Sequence, residues 1–256
     1  MVMARHNYSQ QSDVAQPNWG ILGHTASQNT PTDQALLTSH EAHHEVLMRL
    51  AIAGQHPDQT TLQHNIRLAY MAGKLSSLLG EPDEFCDLMR LAAPMHDVGN
   101  LGIPEAILNK PGALSPAERA IMNRHTEIGH HILSQADTPL FQLAASIALS
   151  HHEKFDGTGY PYQLAAYAIP LAARIIALVD CFDALTMHKP YRAAFTDDQA
   201  IKMLASQTGQ QFDPDILAVF MAHIECFQQL RLRINTSPEQ YSQLLNYSHT
   251  KFMWPA

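Results

Sequence analysis

The sequence predicts an all-α fold on three observations. Apolar residues recur at helical spacing through most of the chain, several segments open on strong helix-capping residues, and no segment alternates apolar and polar residues as a half-buried strand does. Residues 1–31, rich in Gln, Asn, Ser and Thr without periodicity, read as a flexible N-terminal arm. A helix over about 33–53 is expected to form an N-terminal helical extension at 32–58. The next helix, over about 58–79, stops at Gly80, a residue suited to the left-handed conformation that ends helices. Pro82 opens another, which carries Phe85, Leu88, Met89, Leu91 and Ala92 into Met95, His96 and Asp97. The stretch 98–113 holds Pro104, Pro111, Gly99, Gly102 and Gly112, and reads as loop.

Ser115-Pro116-Ala117-Glu118 is a helix start, with an N-cap serine, proline at the first helical position and glutamate placed for a capping box. That helix is expected to run to about Leu133, and another to cover 139–152 before the turn-rich 156–161. Pro170 begins a helix through Asp180 to about Thr186. Thr196 caps one over 197–207, and Asp213-Pro214 caps the last, ending near Gln229. The tail, 231–256, has room for one further helix at 238–246.

Composition narrows the function. Sixteen Lys+Arg against 24 Asp+Glu leave a net charge of -8, which disfavours long nucleic acid as a partner. A small anion can still bind if metal ions supply the positive charge. No apolar run reaches the ~18 residues that span a bilayer, so no membrane insertion is expected. The N-terminus lacks an apolar signal core, and Cys86, Cys181 and Cys226 form neither a C-x-x-C pair nor an even set. A cytoplasmic setting follows as the expectation. Sixteen histidines in 256 residues direct attention to metal ligation.

Placement is what separates ligands from ordinary histidines. His96-Asp97 and His151-His152 are doublets at helix ends, each before a glycine-containing segment. His64 lies on an earlier helix, His125 inside a capped helix, and Asp180 directly after the apolar run Ile175-Ile176-Ala177-Leu178-Val179. A carboxylate in such surroundings needs a partner or a metal. Imidazole and carboxylate donors without thiolate suit Fe, Mn, Zn or Co, and a carboxylate such as Asp97 can bridge two ions. His130 and His131 read as helix-surface residues, His40, His43 and His44 as a solvated helix face, and Met71, Met89 and Met95 as core filling.

These residues stand in a longer pattern. His96-Asp97-Val98-Gly99 and His151-His152-Glu153 are followed by Asp156-Gly157-Thr158-Gly159-Tyr160-Pro161. Gly102-Ile103-Pro104, Lys110-Pro111-Gly112, His125 to Gly129, Ala173-Arg174-Ile175, Phe182-Asp183-Ala184-Leu185-Thr186, Pro190-Tyr191-Arg192 and Gln211-Phe212-Asp213-Pro214 extend it. The whole resembles the HD-GYP family, the branch of HD phosphohydrolases that hydrolyses cyclic di-GMP, over about 59–227 as one collinear match.

The resemblance implies an HD-domain helical bundle with a dinuclear metal centre, over a catalytic domain at 59–230. It places His64, His96, Asp97, His125, His151, His152 and Asp180 on the family's metal-ligand positions, with Asp97 catalytic as the bridge between two divalent ions, iron or manganese foremost. It places Asn100, Lys189 and Arg192 at substrate-binding positions. The implied reaction opens cyclic di-GMP to linear pGpG, with GMP as a further product, by two-metal activation of water. The alternatives are a catalytically weak member serving as a cyclic di-GMP sensor or partner-docking module, and an HD hydrolase acting on another nucleotide. As partners the resemblance admits a homodimer and diguanylate cyclase-type proteins docking through the Gly-Tyr-Pro loop.

Three positions depart from the family pattern. Thr60 stands where a third-metal glutamate occurs in some members, which favours two ions. Asn100 replaces a lysine expected to meet substrate phosphate. Lys189 replaces an arginine and keeps the charge without the bidentate fork.

Overall fold

The computed structural model describes residues 59–188 and 193–238. Ten α-helices follow one another there: α1 Gln59–Leu78, α2 Asp83–Ala92, α3 Glu105–Leu108, α4 Pro116–Asn123, α5 His125–Leu133, α6 Pro139–Ser150, α7 Leu171–Thr186, α8 Asp197–Ala205, α9 Pro214–Ala222 and α10 Ile224–Thr236. Among the described residues there is no β-strand, only the isolated bridges Asp156–Ala165 and Thr208–Phe212. The all-α expectation and the helical-bundle architecture hold. No helix among the described residues is long and apolar enough to cross a membrane.

Two helices form the centre. On α1 the whole run 65–72 is buried, and on α7 Ala172, Ala173, Ile175, Ile176, Leu178, Val179 and Phe182 are each 2% exposed or less. α1 packs on α2, α7 and α10, while α7 also meets α6 and α8. Burying each large apolar side chain of this set stabilises the fold by roughly 1.5–3 kcal/mol, so the two helices bearing His64 and Asp180 are among the most firmly held. Met71, Met89 and Met95 are fully buried in this core.

The predicted caps are present. Ser115 accepts from Glu118 N while the Glu118 side chain accepts from Ser115 N, and Thr196 with Gln199 repeats the arrangement. Gly80 has φ +86°, as a helix-ending glycine should.

Three expectations need correction. Residues 98–113 are not all loop: Val98–Gly102 is a 3-10 turn and α3 follows. The helix expected from Ser115 to Leu133 breaks at Arg124, because the side chains of His125 and Thr126 take the carbonyls of Met122 (2.9 Å) and Asn123 (3.0 Å) from the helical ladder. The helix expected from Pro214 to Gln229 bends at His223 (φ -121°, ψ 23°), and the bend turns Phe227, Leu230 and Ile234 of α10 into the core. α10 therefore continues across residue 230, the boundary set for the catalytic domain. The arm at 1–31, the extension at 32–58, the histidines at 40, 43 and 44 and the tail helix at 238–246 lie, apart from Pro238, outside the described residues.

Candidate metal centre

The histidines of the two doublets and His125 sit at the ends of helical segments, where the rings of His96, His125 and His151 reach back to a carbonyl of the preceding turn. His96 follows the 3-10 turn Ala93–Met95 and donates Nδ1–H to Ala93 O (3.0 Å). His125, at the start of α5, donates to Met122 O (2.9 Å), and His151, capping α6, donates to Ile147 O (3.0 Å). A ring nitrogen facing a carbonyl must carry the proton, so Nε2 of each bears the lone pair. The Nε2 atoms of His125 and His151 are shut from solvent and have no hydrogen-bond partner. Buried lone pairs without a donor are costly unless something electrophilic takes them, and a divalent cation fits that requirement.

All seven ligand candidates come together, in two clusters. Asp97, His125, His151 and His152 form one; His64, His96 and Asp180 form the other; within each, the donor atoms lie within 4.8 Å of one another and could hold an ion. Asp97 joins them. Its Oδ1 lies 3.4 Å from His125 Nε2 and 3.6 Å from His151 Nε2, while Oδ2 lies 3.5 Å from His96 Nε2. His64 Nε2 is 3.6 Å from Asp180 Oδ1. Seven residues on one pocket could be read from the family pattern; their division into a four-donor and a three-donor group could not.

The electrostatics suit cation binding. Burial would raise the Asp97 carboxyl, but the surrounding imidazoles of His96, His151 and His125 hold it well below the ordinary range. Burial lowers His96 and His125 despite Asp97. Burial with the neighbouring His151 takes His152 well below its usual value. Burial thus favours, in these three imidazoles, the neutral form that a metal ligand requires. In His64 and His151 burial is outweighed by carboxylates, Asp183 in the first and Asp97 in the second, and both are raised.

Two functional positions escaped the sequence reading. Asp183, 1% exposed, accepts His64 Nδ1–H at 2.7 Å. Its signal was present: like Asp180, it is a carboxylate in an apolar helix, one turn further on. Glu153, 3% exposed, accepts the backbone N–H groups of Tyr162 (2.7 Å) and Leu164 (3.1 Å), and so ties the 153–164 loop back on itself. Tyr160, on that loop, stacks on the His152 ring at 4.8 Å between centroids, consistent with a loop that shapes the pocket.

The substrate-side candidates are placed unevenly. Asn100 is only 6% exposed, and its side-chain carbonyl is buried without a partner. Lys189 and Arg192 lie outside the described residues. Lys110, the lysine that follows in the same segment, is paired with Glu118 at 2.7 and 2.8 Å. His131 is exposed, as expected of a surface residue, whereas His130 is half-buried with Nδ1 3.2 Å from Ala145 O and belongs to neither cluster.

Comparison with known proteins agrees with the fold. A sequence model of the family described as HD domain matches residues 48–216. The chain is 42% identical over 186 residues to the cyclic di-GMP phosphodiesterase response regulator RpfG of Xanthomonas campestris pv. campestris, covering 71% of this chain and 49% of that protein. It is 38% identical over 191 residues to 3'3'-cGAMP-specific phosphodiesterase 2 of Vibrio cholerae serotype O1, covering 75% and 37%. The chain thus spans half the length of these relatives or less. Among solved structures, a cyclic GMP-AMP-specific phosphodiesterase of V. cholerae superimposes with a TM-score of 0.54 at 18% identity, over 82% of this chain and 55% of that one.

Proposed function

The chain belongs to the HD-domain family, in its HD-GYP branch, and on that premise we propose that it is a metal-dependent phosphodiesterase hydrolysing cyclic di-GMP to linear pGpG, with GMP as a further product. The observation that carries the reading is Asp97, whose two oxygens each face a different cluster of imidazoles. In this reading His64, His96, Asp97, His125, His151, His152 and Asp180 hold two divalent ions, iron or manganese by the nature of the donors. Bound there, such ions supply an activated water and offset charge on phosphate.

The protein's own groups do the rest. Nδ1–H bonds to helix-end carbonyls fix the rings of His96, His125 and His151. Tyr160, stacked on His152, walls one side of the pocket. Lys189 and Arg192 hold substrate phosphate, with Asn100 the weak member of that set. The catalytic unit is assigned to 59–230 and the work is placed in the cytoplasm. A homodimer and a diguanylate cyclase-type protein are the proposed partners, the latter meeting the loop that carries Tyr162, 60% exposed.

A second reading has its own support. Burial of Asn100, where a phosphate-binding lysine is expected, favours a weak enzyme that senses cyclic di-GMP. Metal analysis of anaerobically purified protein, with turnover of cyclic di-GMP and of 3'3'-cGAMP on the same sample, separates the readings. Two ions per chain and preferred hydrolysis of cyclic di-GMP are expected. Tight binding without turnover would favour the sensor, and preference for 3'3'-cGAMP would reassign the substrate. Three full ions would mean that a group other than Thr60 supplies the extra ligand.

Asn100→Lys is expected to improve the enzyme. A lysine stem can reach outward from a buried position with its ammonium toward phosphate. A charge-assisted hydrogen bond there contributes about 1.5–3 kcal/mol, and each ~1.4 kcal/mol realised in the transition state is tenfold in rate. If the gain is equal in bound substrate, affinity alone improves. Turnover and affinity at matched metal content measure this, and no gain in either means that position 100 does not meet substrate.

A further inference from the structure

Among these histidines, His64 of the three-donor cluster differs in what stands behind it. His96, His125 and His151 each donate Nδ1–H to a neutral backbone carbonyl. His64 donates to a carboxylate, Asp183 Oδ2, at 2.7 Å. Asp183 is held in turn by a fork of two bonds from Arg67, Nε to Oδ1 at 2.5 Å and Nη2 to Oδ2 at 2.9 Å. Arg67 is itself 2% exposed, and its Nη1 donates to Asn235 Oδ1 on α10 at 2.9 Å. The helical register explains the arrangement. His64 and Arg67 are one turn apart on α1, Asp180 and Asp183 one turn apart on α7, and the two helices pack together.

A carboxylate behind an imidazole fixes the ring and raises the electron density of its far nitrogen, making it a stronger metal donor than one backed by a carbonyl. That strengthening falls on the poorer cluster, which offers three donors against four. We propose that Asp183, locked by Arg67, is a positioning residue that sets the affinity of the His64–His96–Asp180 pocket for its ion. The assignment rests on reading the two clusters as a dinuclear centre. It makes the two ions unequal: the four-donor ion depends on its own ligands, the three-donor ion on the α1–α7–α10 lock as well.

The test is titration of the metal-free full chain with Mn(II) alone, followed calorimetrically, with Asp180→Asn marking which binding step belongs to the three-donor pocket. In Asp183→Asn that same step should weaken by about 10- to 100-fold while the other stays at its wild-type value. A general loss of structure would move both. Asp183→Asn leaves Arg67 buried against a neutral amide and is at risk of not folding. The double variant Arg67→Met/Asp183→Leu removes both charges, a change buried ion pairs commonly tolerate, and should show the same loss in one step only. Equal weakening of both steps, no weakening, or failure of both variants to fold would overturn the assignment. The titration contains no nucleotide, so a chain that does not hydrolyse cyclic di-GMP can still pass. A wild type taking up fewer than two ions would instead remove the dinuclear reading and the second pocket with it.

Discussion

Asp97→Ala is expected to empty the centre and reduce hydrolysis to background. Its carboxylate reaches both clusters, at 3.4 to 3.6 Å from the Nε2 atoms of His125, His151 and His96. In the proposed dinuclear centre, removing it would separate the clusters and delete a negative charge that offsets bound cations among buried imidazoles. Loss of a mere outer partner of a ligand costs 10- to 100-fold in metal affinity or activity, and loss of the bridge should cost more than about a hundredfold in both. His130→Ala is the control. His130 bonds Ala145 O from outside either cluster, so its removal should cost about 1 kcal/mol of stability and no metal. Metal content and turnover of both variants decide the matter: two ions retained in Asp97→Ala, or metal lost in His130→Ala, would contradict the arrangement.

Gly99→Ala should damage fold and centre together. Gly99 lies in the 3-10 turn two residues after Asp97, pressed on the first turn of α5. A Cβ there would stand 1.9 Å from His125 O, 2.5 Å from Gly129 N and 2.8 Å from His125 C. All three are backbone atoms, so no side-chain rotation relieves the clash, and either the turn or α5 must move. The cost should reach about 3 kcal/mol or more, within the class of overpacking that makes single substitutions severe. At about 2–4 °C per kcal/mol for a domain of this size, the melting temperature should fall by about 10 °C. Mn(II) affinity should fall too, because the shift moves Asp97 relative to His125. Gly129→Ala is expected to be milder, since its nearest contacts would be 3.2 to 3.5 Å. A Gly99→Ala protein that melts and binds Mn(II) like wild type would contradict the close docking of turn on helix.

Local chemistry made the helices legible and tertiary contact limited the rest. Ser115, Thr196 and Asp213 mark helix starts because a cap is a bond among neighbours in sequence. The breaks at Arg124 and His223 were hidden, because apolar spacing continues through both. What ends the ladder at Arg124 is the competition of the His125 and Thr126 side chains for carbonyls, and at His223 the turn of α10 toward the core. The ligand candidates were legible as doublets and as a family pattern. Their partition was not, because it depends on how α1 and α7 face one another. Glu153 and Asp183 stood in quoted motifs without a role. The donors that satisfy them, the N–H groups of Tyr162 and Leu164 and the guanidinium of Arg67, become neighbours only on folding.

The lock behind His64 also gives the centre an order of assembly. The four-donor group is complete in sequence at His152, the three-donor group at Asp180, and the bond from Arg67 to Asn235 spans 168 positions. During synthesis from the N-terminus, the residues of the first pocket leave the ribosome well before those that finish the second, and the last clamp arrives with α10. Contacts of such long sequence separation form late: in the proposed centre, a nascent or truncated chain lacking α10 would have every ligand candidate and the His64–Asp183–Arg67 chain, but not the Asn235 bond that steadies Arg67.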